Sequence, residues 1–254
     1  RLGAMFGLWR QLRRKRLARR PLPACWAAMI EAHIPSFGRL DAELRRRFLE
    51  YVRIFVSEKT FIAAGGLEIT EEMKVVIAAS AVRLVLHHRR GISALDRLSE
   101  IVVYPSHYRH PHEEDVITFG EAHDWGIVVL SWEAVKHGLT NPDDGHDTAA
   151  HELAHVLDRA DGTFNGTPEL RARADYRSWA QVMSRHFLDL RNGKNPAGEV
   201  LRRYGAQNEA EFFAVATEAF FERPERMRDK TPDLYAELMR YYGCDPAADS
   251  APPP

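Results

Sequence analysis

The segment His151-Glu152-Leu153-Ala154-His155 constrains this chain more than any other. It lies in a run from Thr148 to Ala160 that reads as a helix, entered from a Pro-, Asp- and Gly-containing loop over Asn141 to Gly145 and closed by Asp161-Gly162. Residues four apart on a helix share one face, one turn apart, so the two imidazoles are placed to bind a single metal ion. Glu152 projects beside them, where its carboxylate can reach a metal-bound water rather than the metal itself, the arrangement that metal-assisted hydrolysis needs. With this chain's His and Glu frequencies the pattern arises by chance about one time in twenty, so its setting matters. That setting is apolar: Ala149, Ala150, Leu153, Ala154 and Leu157 make the helix look buried, and unpaired His and Glu are costly there.

A hydrolytic metal with an open position needs a third protein ligand. The metzincin pattern, with its third His after a Gly, is excluded because Asp158 and Asp161 stand at the corresponding places. Asp161 could itself be a carboxylate ligand. The segment Asn208 to Glu222 offers two more acids, Glu211 and Glu218, on one stripe of an otherwise apolar helix. Asn208 followed three residues later by Glu211 is also a helix-capping pattern, which would make Glu211 structural. Spacing alone leaves these alternatives open. Asp158, one turn past His155, suits either a hydrogen-bond acceptor for a ligand imidazole or a helix-end polar residue. His146 reads as a loop residue, and His107, His110 and His112 fall in a polar, Pro-containing loop without helical geometry to organise a metal.

Elsewhere the apolar periodicity predicts helices over residues 39–60, 70–90, 168–190, 208–222 and 231–242, with a break from Ala63 to Leu67. Glu100 to Pro105 and Gly126 to Trp132 are short β-rich runs, giving an α+β chain with no internal repeat. Residues 1–20 form a basic segment read as solvated with a short apolar anchor, although Phe6, Trp9, Leu12 and Arg16 fall near helical spacing. Residues 21–244 are expected to form one domain, and 245–254 a disordered tail rich in Pro and Ala. The 45% apolar content supplies a core, and a net charge of −1 creates no global field toward nucleic acid or membrane, so no direct nucleic-acid partner is expected. Two distant cysteines, Cys25 and Cys244, argue against a disulfide framework or a Cys-based zinc ribbon and for a reducing compartment. No apolar run approaches the roughly 20 residues of a membrane span, and no secretory signal is visible. The expected location is cytoplasmic.

Several pieces, in order and at matching spacing, resemble the Mlc titration factor A peptidases, zincins related in their catalytic core to the anthrax lethal factor metallopeptidase domain. They are Gly145 to Asp158, the Asp161-Gly162 to Asn165-Gly166 turn, Tyr204 seven residues before Glu211, Ala210 to Val215, Val103-Tyr104-Pro105 and Val129 to Trp132. The resemblance implies a mostly helical zincin-like fold with a small mixed sheet beside the zinc-binding helix. It implies Zn2+ held by His151, His155 and Glu211, Glu152 as general base, and Tyr204 as a transition-state hydrogen-bond donor. It also implies aminopeptidase-like cleavage of peptides and, in some members, binding of a glucose-responsive transcriptional repressor. An alternative is a regulatory protein that sequesters a transcription factor with weak or vestigial catalysis; the intact Glu152 favours an enzyme. Asp147 departs from the Asn expected in relatives. The strand from Gly126 to Leu130, bracketed by Trp125 and Trp132, is expected to be an exposed edge along the cleft that pairs with a peptide backbone.

Overall fold

Asp41, Thr70, Asp147 and Asn208 each stand just before an apolar-periodic run, and each caps a helix with its side chain. Asp41 accepts from the backbone N–H of Leu44 at 2.8 Å, Thr70 from Met73 at 3.2 Å, Asp147 from Ala150 at 2.9 Å and Asn208 from Glu211 at 2.9 Å. The computed structural model describes residues 2–106, 108–110, 113–118, 120–123, 126–141, 144–194 and 197–249. Its first half carries helices α1 (Leu2–Ala18), α2 (Ala24–His33), α3 (Pro35–Arg39), α4 (Ala42–Glu58) and α5 (Glu71–Val85), with strand β1 (Thr60–Ala63) between the last two. Strands β2 (Glu100–Tyr104), β3 (Tyr108–His110), β4 (Glu113–Thr118), β5 (Gly120–His123) and β6 (Ile127–Ser131) follow. The remainder is helical: α6 (Trp132–Thr140), α7 (Thr148–Asp158), α8 (Asp175–Arg191), α9 (Ala197–Val200), α10 (Glu209–Glu222), α11 (Pro224–Lys230), α12 (Pro232–Tyr242) and α13 (Pro246–Asp249). The chain is thus mostly helical with a small sheet, an α+β fold of the zincin-like kind.

The sheet has the order β1-β2-β6-β5, with the first three strands parallel and β5 antiparallel to β6. Several features differ from expectation, and the helices read over 70–90 and 168–190 run only over Glu71–Val85 and Asp175–Arg191. The helix anticipated over 39–60 stops at Glu58, and the next residues form β1, a four-residue strand too short for its own pattern to announce. More consequentially, β6 is not an edge: it pairs with β2 on one side and β5 on the other. Val128 to Ser131 are all buried, so this β-branched run satisfies a strand covered on both faces. Trp125 lies outside the described residues, and Trp132 opens α6 instead of flanking a cleft. The edge beside α7 belongs to β5, which packs against that helix.

Helix α5 is buried from Val75 to Val85 except at its Arg83 side, and it packs against α2, α4 and α7. Such a helix, apolar around most of its circumference, must lie inside a core. A second group of rings, Trp179, Phe213, Phe220 and Tyr242, joins α8, α10 and α12, with Trp179 and Phe213 at 5.8 Å and Phe220 stacked on Tyr242 at 5.5 Å. Helix α7, packed on α5, meets α10 of the second group, and this contact brings the residues discussed below together. At both ends the chain is more ordered than its composition suggests. Helix α1 packs on α4, and its Arg14 is buried against Glu58 at 2.6 Å and Asp96 at 2.7 Å. In the segment expected to be a disordered tail, Asp245 accepts from the Tyr235 hydroxyl and Ala247 is buried in α13, while residues 250–254 lie outside the described residues.

Candidate metal centre

The Asp147 cap starts α7 so that His151 and His155 emerge from the face turned toward α10. Their rings meet edge-on, with centroids 4.8 Å apart. Glu211 enters from the first turn of α10. The Asn208 cap uses only its backbone N–H, which leaves its carboxylate to reach across at 2.9 Å from His151 Nε2 and 3.5 Å from His155 Nε2. The three donor atoms lie within 4.8 Å of one another. Atoms about 2.0–2.1 Å from a tetrahedrally bound zinc sit roughly 3.3–3.4 Å apart; the two carboxylate–imidazole separations bracket that value. The two readings of Glu211 do not exclude each other: its backbone N–H is capped while its carboxylate stands in the group that could hold a metal.

The electrostatics agree with a cation at this point. Burial disfavours a charged His151, but hydrogen bonds to Glu211 and Glu218 override that and raise its pKa to about 10. Burial likewise opposes a charged Glu211, and the contacts to His151 and His155 overcome it, bringing the carboxyl down to about 2. Burial, joined by the neighbouring His151, keeps His155 below the ordinary imidazole value. Two carboxylates and two imidazoles out of water are a donor set that holds positive charge, and a divalent ion supplies it with the ring nitrogens neutral.

Behind this trio, Glu218 accepts from His151 Nδ1 at 2.7 Å, which leaves Nε2 as the ring nitrogen turned to the donor group. Glu218 also accepts from the backbone N–H of Asp147 at 2.9 Å and from Arg202, whose Nε donates to the Gly145 carbonyl at 3.0 Å. Tyr204 sits on a 3₁₀ turn, Arg203–Ala206, with its ring 5.7 Å from that of His151 and its side chain half-exposed. Burial, with the charges of Glu211 and Glu152, lifts its phenol to about 12, so it carries its proton at neutral pH. Glu152 is buried on the same helical turn as His151.

A family model described as "Glucose-regulated metallo-peptidase M90" matches residues 9–243. The chain belongs to that family. It is 34% identical over 250 residues to the uncharacterized protein slr2042 of Synechocystis sp., covering 94% of this chain and 90% of that protein. It is 30% identical over 237 residues to the Mlc titration factor A of Pectobacterium atrosepticum, covering 88% and 87% of the two chains. The corresponding protein of Serratia proteamaculans is 28% identical over 229 residues, with 85% and 86% covered.

Within this M90 chain, the other candidates fall elsewhere. Asp161 caps its own turn, accepting from the Thr163 N–H at 2.8 Å and hydroxyl at 2.7 Å, and stands outside the donor group. Asp158 does not reach His155, whose Nδ1 is buried without a hydrogen-bond partner among the described residues. Instead Asp158 accepts from the Gly166 N–H at 2.9 Å, and burial raises its pKa to about 6. Gly166 is itself constrained: its φ is 71°, and a Cβ there would stand 2.2 Å from the Glu209 carbonyl. Asp158 thereby holds the end of α7 to a turn that packs closely on Glu209, two residues before Glu211. His146 is in the loop before α7 and outside the donor group, as expected; His107 and His112 lie outside the described residues. Asp147, where the resemblance leads one to expect Asn, caps α7 with one oxygen and pairs with Arg83 of α5 through the other. Arg83, Arg202 and the nearby buried Glu222 carried no sequence signal; Glu218 was visible only as the second acid on the Glu211 stripe.

Proposed function

We propose that this chain is a zinc-dependent, aminopeptidase-like peptidase in which His151, His155 and Glu211 hold the metal and Glu152 is the general base. The observation that carries the reading is the convergence of three donor atoms from two helices within 4.8 Å, with Glu152 on the same helical turn as His151. Zinc held there would lower the pKa of a bound water toward roughly 7 and polarise a scissile carbonyl. Glu152 takes the proton from the attacking water and passes it to the leaving amine. Tyr204, protonated at neutral pH, donates its O–H to the oxyanion that develops on the carbonyl. Glu218 and Arg202 fix the ring of His151 in the tautomer that presents Nε2. Phe164, its ring 5.0 Å from that of His155 and exposed at the mouth of the site, offers an apolar platform to a substrate side chain. Strand β5, with no second partner strand among the described residues, offers the free edge for a peptide backbone in place of β6.

The decisive experiment measures bound zinc and peptide cleavage for the wild type beside Glu152→Gln. About one zinc per chain is expected in both, with cleavage lost in the variant because the base touches water and not the ion. Full activity in the variant would overturn the mechanism. The name of the relatives, Mlc titration factor A, supports a second reading in which the chain also binds a transcriptional repressor; such binding would survive Glu152→Gln. We place this activity in the cytoplasm. Among the described residues no helix is long and apolar enough to cross a membrane.

A further inference from the structure

We propose that the outer face of α1 is a docking surface for an anionic lipid bilayer, a property separate from the metal centre. Residues 1–20 contain eight basic residues and no acidic one, against a net charge of −1 for the whole chain, which leaves −9 on the remainder. The structure shows how this basic helix is held. Arg14 turns inward, donating to both oxygens of Glu58, to Asp96 at 2.7 Å and to Ser93 Oγ at 2.8 Å. Arg10 and Arg13 assist from the flanks, pairing with Asp96 and Glu58.

With Arg14 pinned to the body, 3.6 residues per turn decides what faces away. Trp9, Leu12 and Arg16 all fall within about 40° of the direction opposite Arg14, and Arg19 follows just past the end of α1. Trp9 is 66% exposed and Leu12 56%, a large apolar pair one turn apart on the outside of the molecule, and Arg16, Arg19 and Arg20 are exposed beyond them. The face therefore runs from apolar to basic along one line.

That combination discriminates between polyanions. A phosphate backbone satisfies the arginines but gives Leu12 nothing to enter. A bilayer interface takes an indole and an aliphatic side chain at headgroup depth while its anionic lipids hold the cations. The acidic remainder of the chain is repelled by the same surface, which orients the molecule with α1 down. No spanning segment is involved.

The test uses the full chain with sedimenting vesicles of phosphatidylcholine alone or mixed with phosphatidylserine. Binding is expected only to the mixed vesicles and should fall as salt is raised. At about a fivefold change per surface cation, Arg16→Glu with Arg19→Glu should weaken it by at least about tenfold. Trp9→Ser with Leu12→Ser should do the same, and since all four side chains are outside the core, unchanged melting temperatures will show that the variants are folded. Wild-type protein that stays in the supernatant with both vesicle types would overturn the proposal, as would variants that bind like the wild type. Duplex DNA that binds more tightly than the mixed vesicles, and equally to the Trp9/Leu12 variant, would reassign the face to nucleic acid and overturn it too.

Discussion

Glu222 is a buried carboxyl whose titration should be readable in the stability of the whole protein. It lies at the end of α10, only 5% exposed, with Oε2 lacking a hydrogen-bond partner among the described residues. Burial, reinforced by the neighbouring Asp147 charge, raises its pKa from 4.5 to about 9. The sign follows from proton counting. Below about pH 4.5 both folded and unfolded chains carry the proton, and Glu222 contributes no pH dependence. Between that value and about 9 the unfolded chain has lost the proton and the folded one keeps it, so stability falls by about 1.4 kcal/mol per pH unit. By pH 7, roughly 2.5 units above the unfolded value, the cost is about 3 kcal/mol. Glu222→Gln replaces the protonated acid with a neutral group of the same shape and removes that cost. The variant should match the wild type near pH 4 and exceed it by about 3 kcal/mol at pH 7, a rise in Tm of roughly 6–12 °C for a chain of this size. Urea unfolding of both proteins across that range, with metal content held constant, measures the difference directly. A difference that is constant with pH, or one that favours the wild type at pH 7, would show that Glu222 is ionised in the folded protein and refute the reasoning.

Two further outcomes follow from the metal centre. Glu211→Ala is expected to weaken zinc binding far more than Asp161→Ala, because only the former carboxylate lies beside both imidazoles; equal losses in a chelator competition would remove Glu211 from the ligand set. Glu218→Gln should lower zinc affinity by about 10–100-fold while leaving the number of sites unchanged, since it frees the ring of His151 without removing a donor. Unchanged affinity would make Glu218 a purely structural group.

Much of the centre could be read along the chain. The His151, Glu152 and His155 constellation is local: four-residue spacing on a capped helix places the groups whatever surrounds them. The buried character of α5 and the caps at Asp41, Thr70 and Asn208 are local in the same sense, and the helices they start appear where periodicity puts them. Periodicity puts Glu211 and Glu218 on one stripe, with Asp161 a third possibility, but cannot choose among them. Seven residues on α10 is about 10 Å of rise, and which acid lies level with the metal face of His151 depends on how α10 is set against α7. Packing puts Glu211 at Nε2 and Glu218 at Nδ1, so the two acids of one stripe take opposite sides of one ring.

The sheet shows the same division. The run Ile127-Val128-Val129 is strand-forming on its own evidence, yet whether it is an edge depends on what pairs with it. Its second partner, β5, is Gly120 to His123, four residues without β-branched or large aromatic side chains. The basic segment divides likewise: charge density was plain from composition, whereas only the acids Glu58 and Asp96, more than forty positions away, decide that Arg14 turns inward and Trp9 outward. Caps and periodicity act over a few residues of covalent chain, so sequence carries them. Strand neighbours, ion pairs and the rotation of one helix against another are energies of contact between distant segments, and these come into being only when the chain is folded.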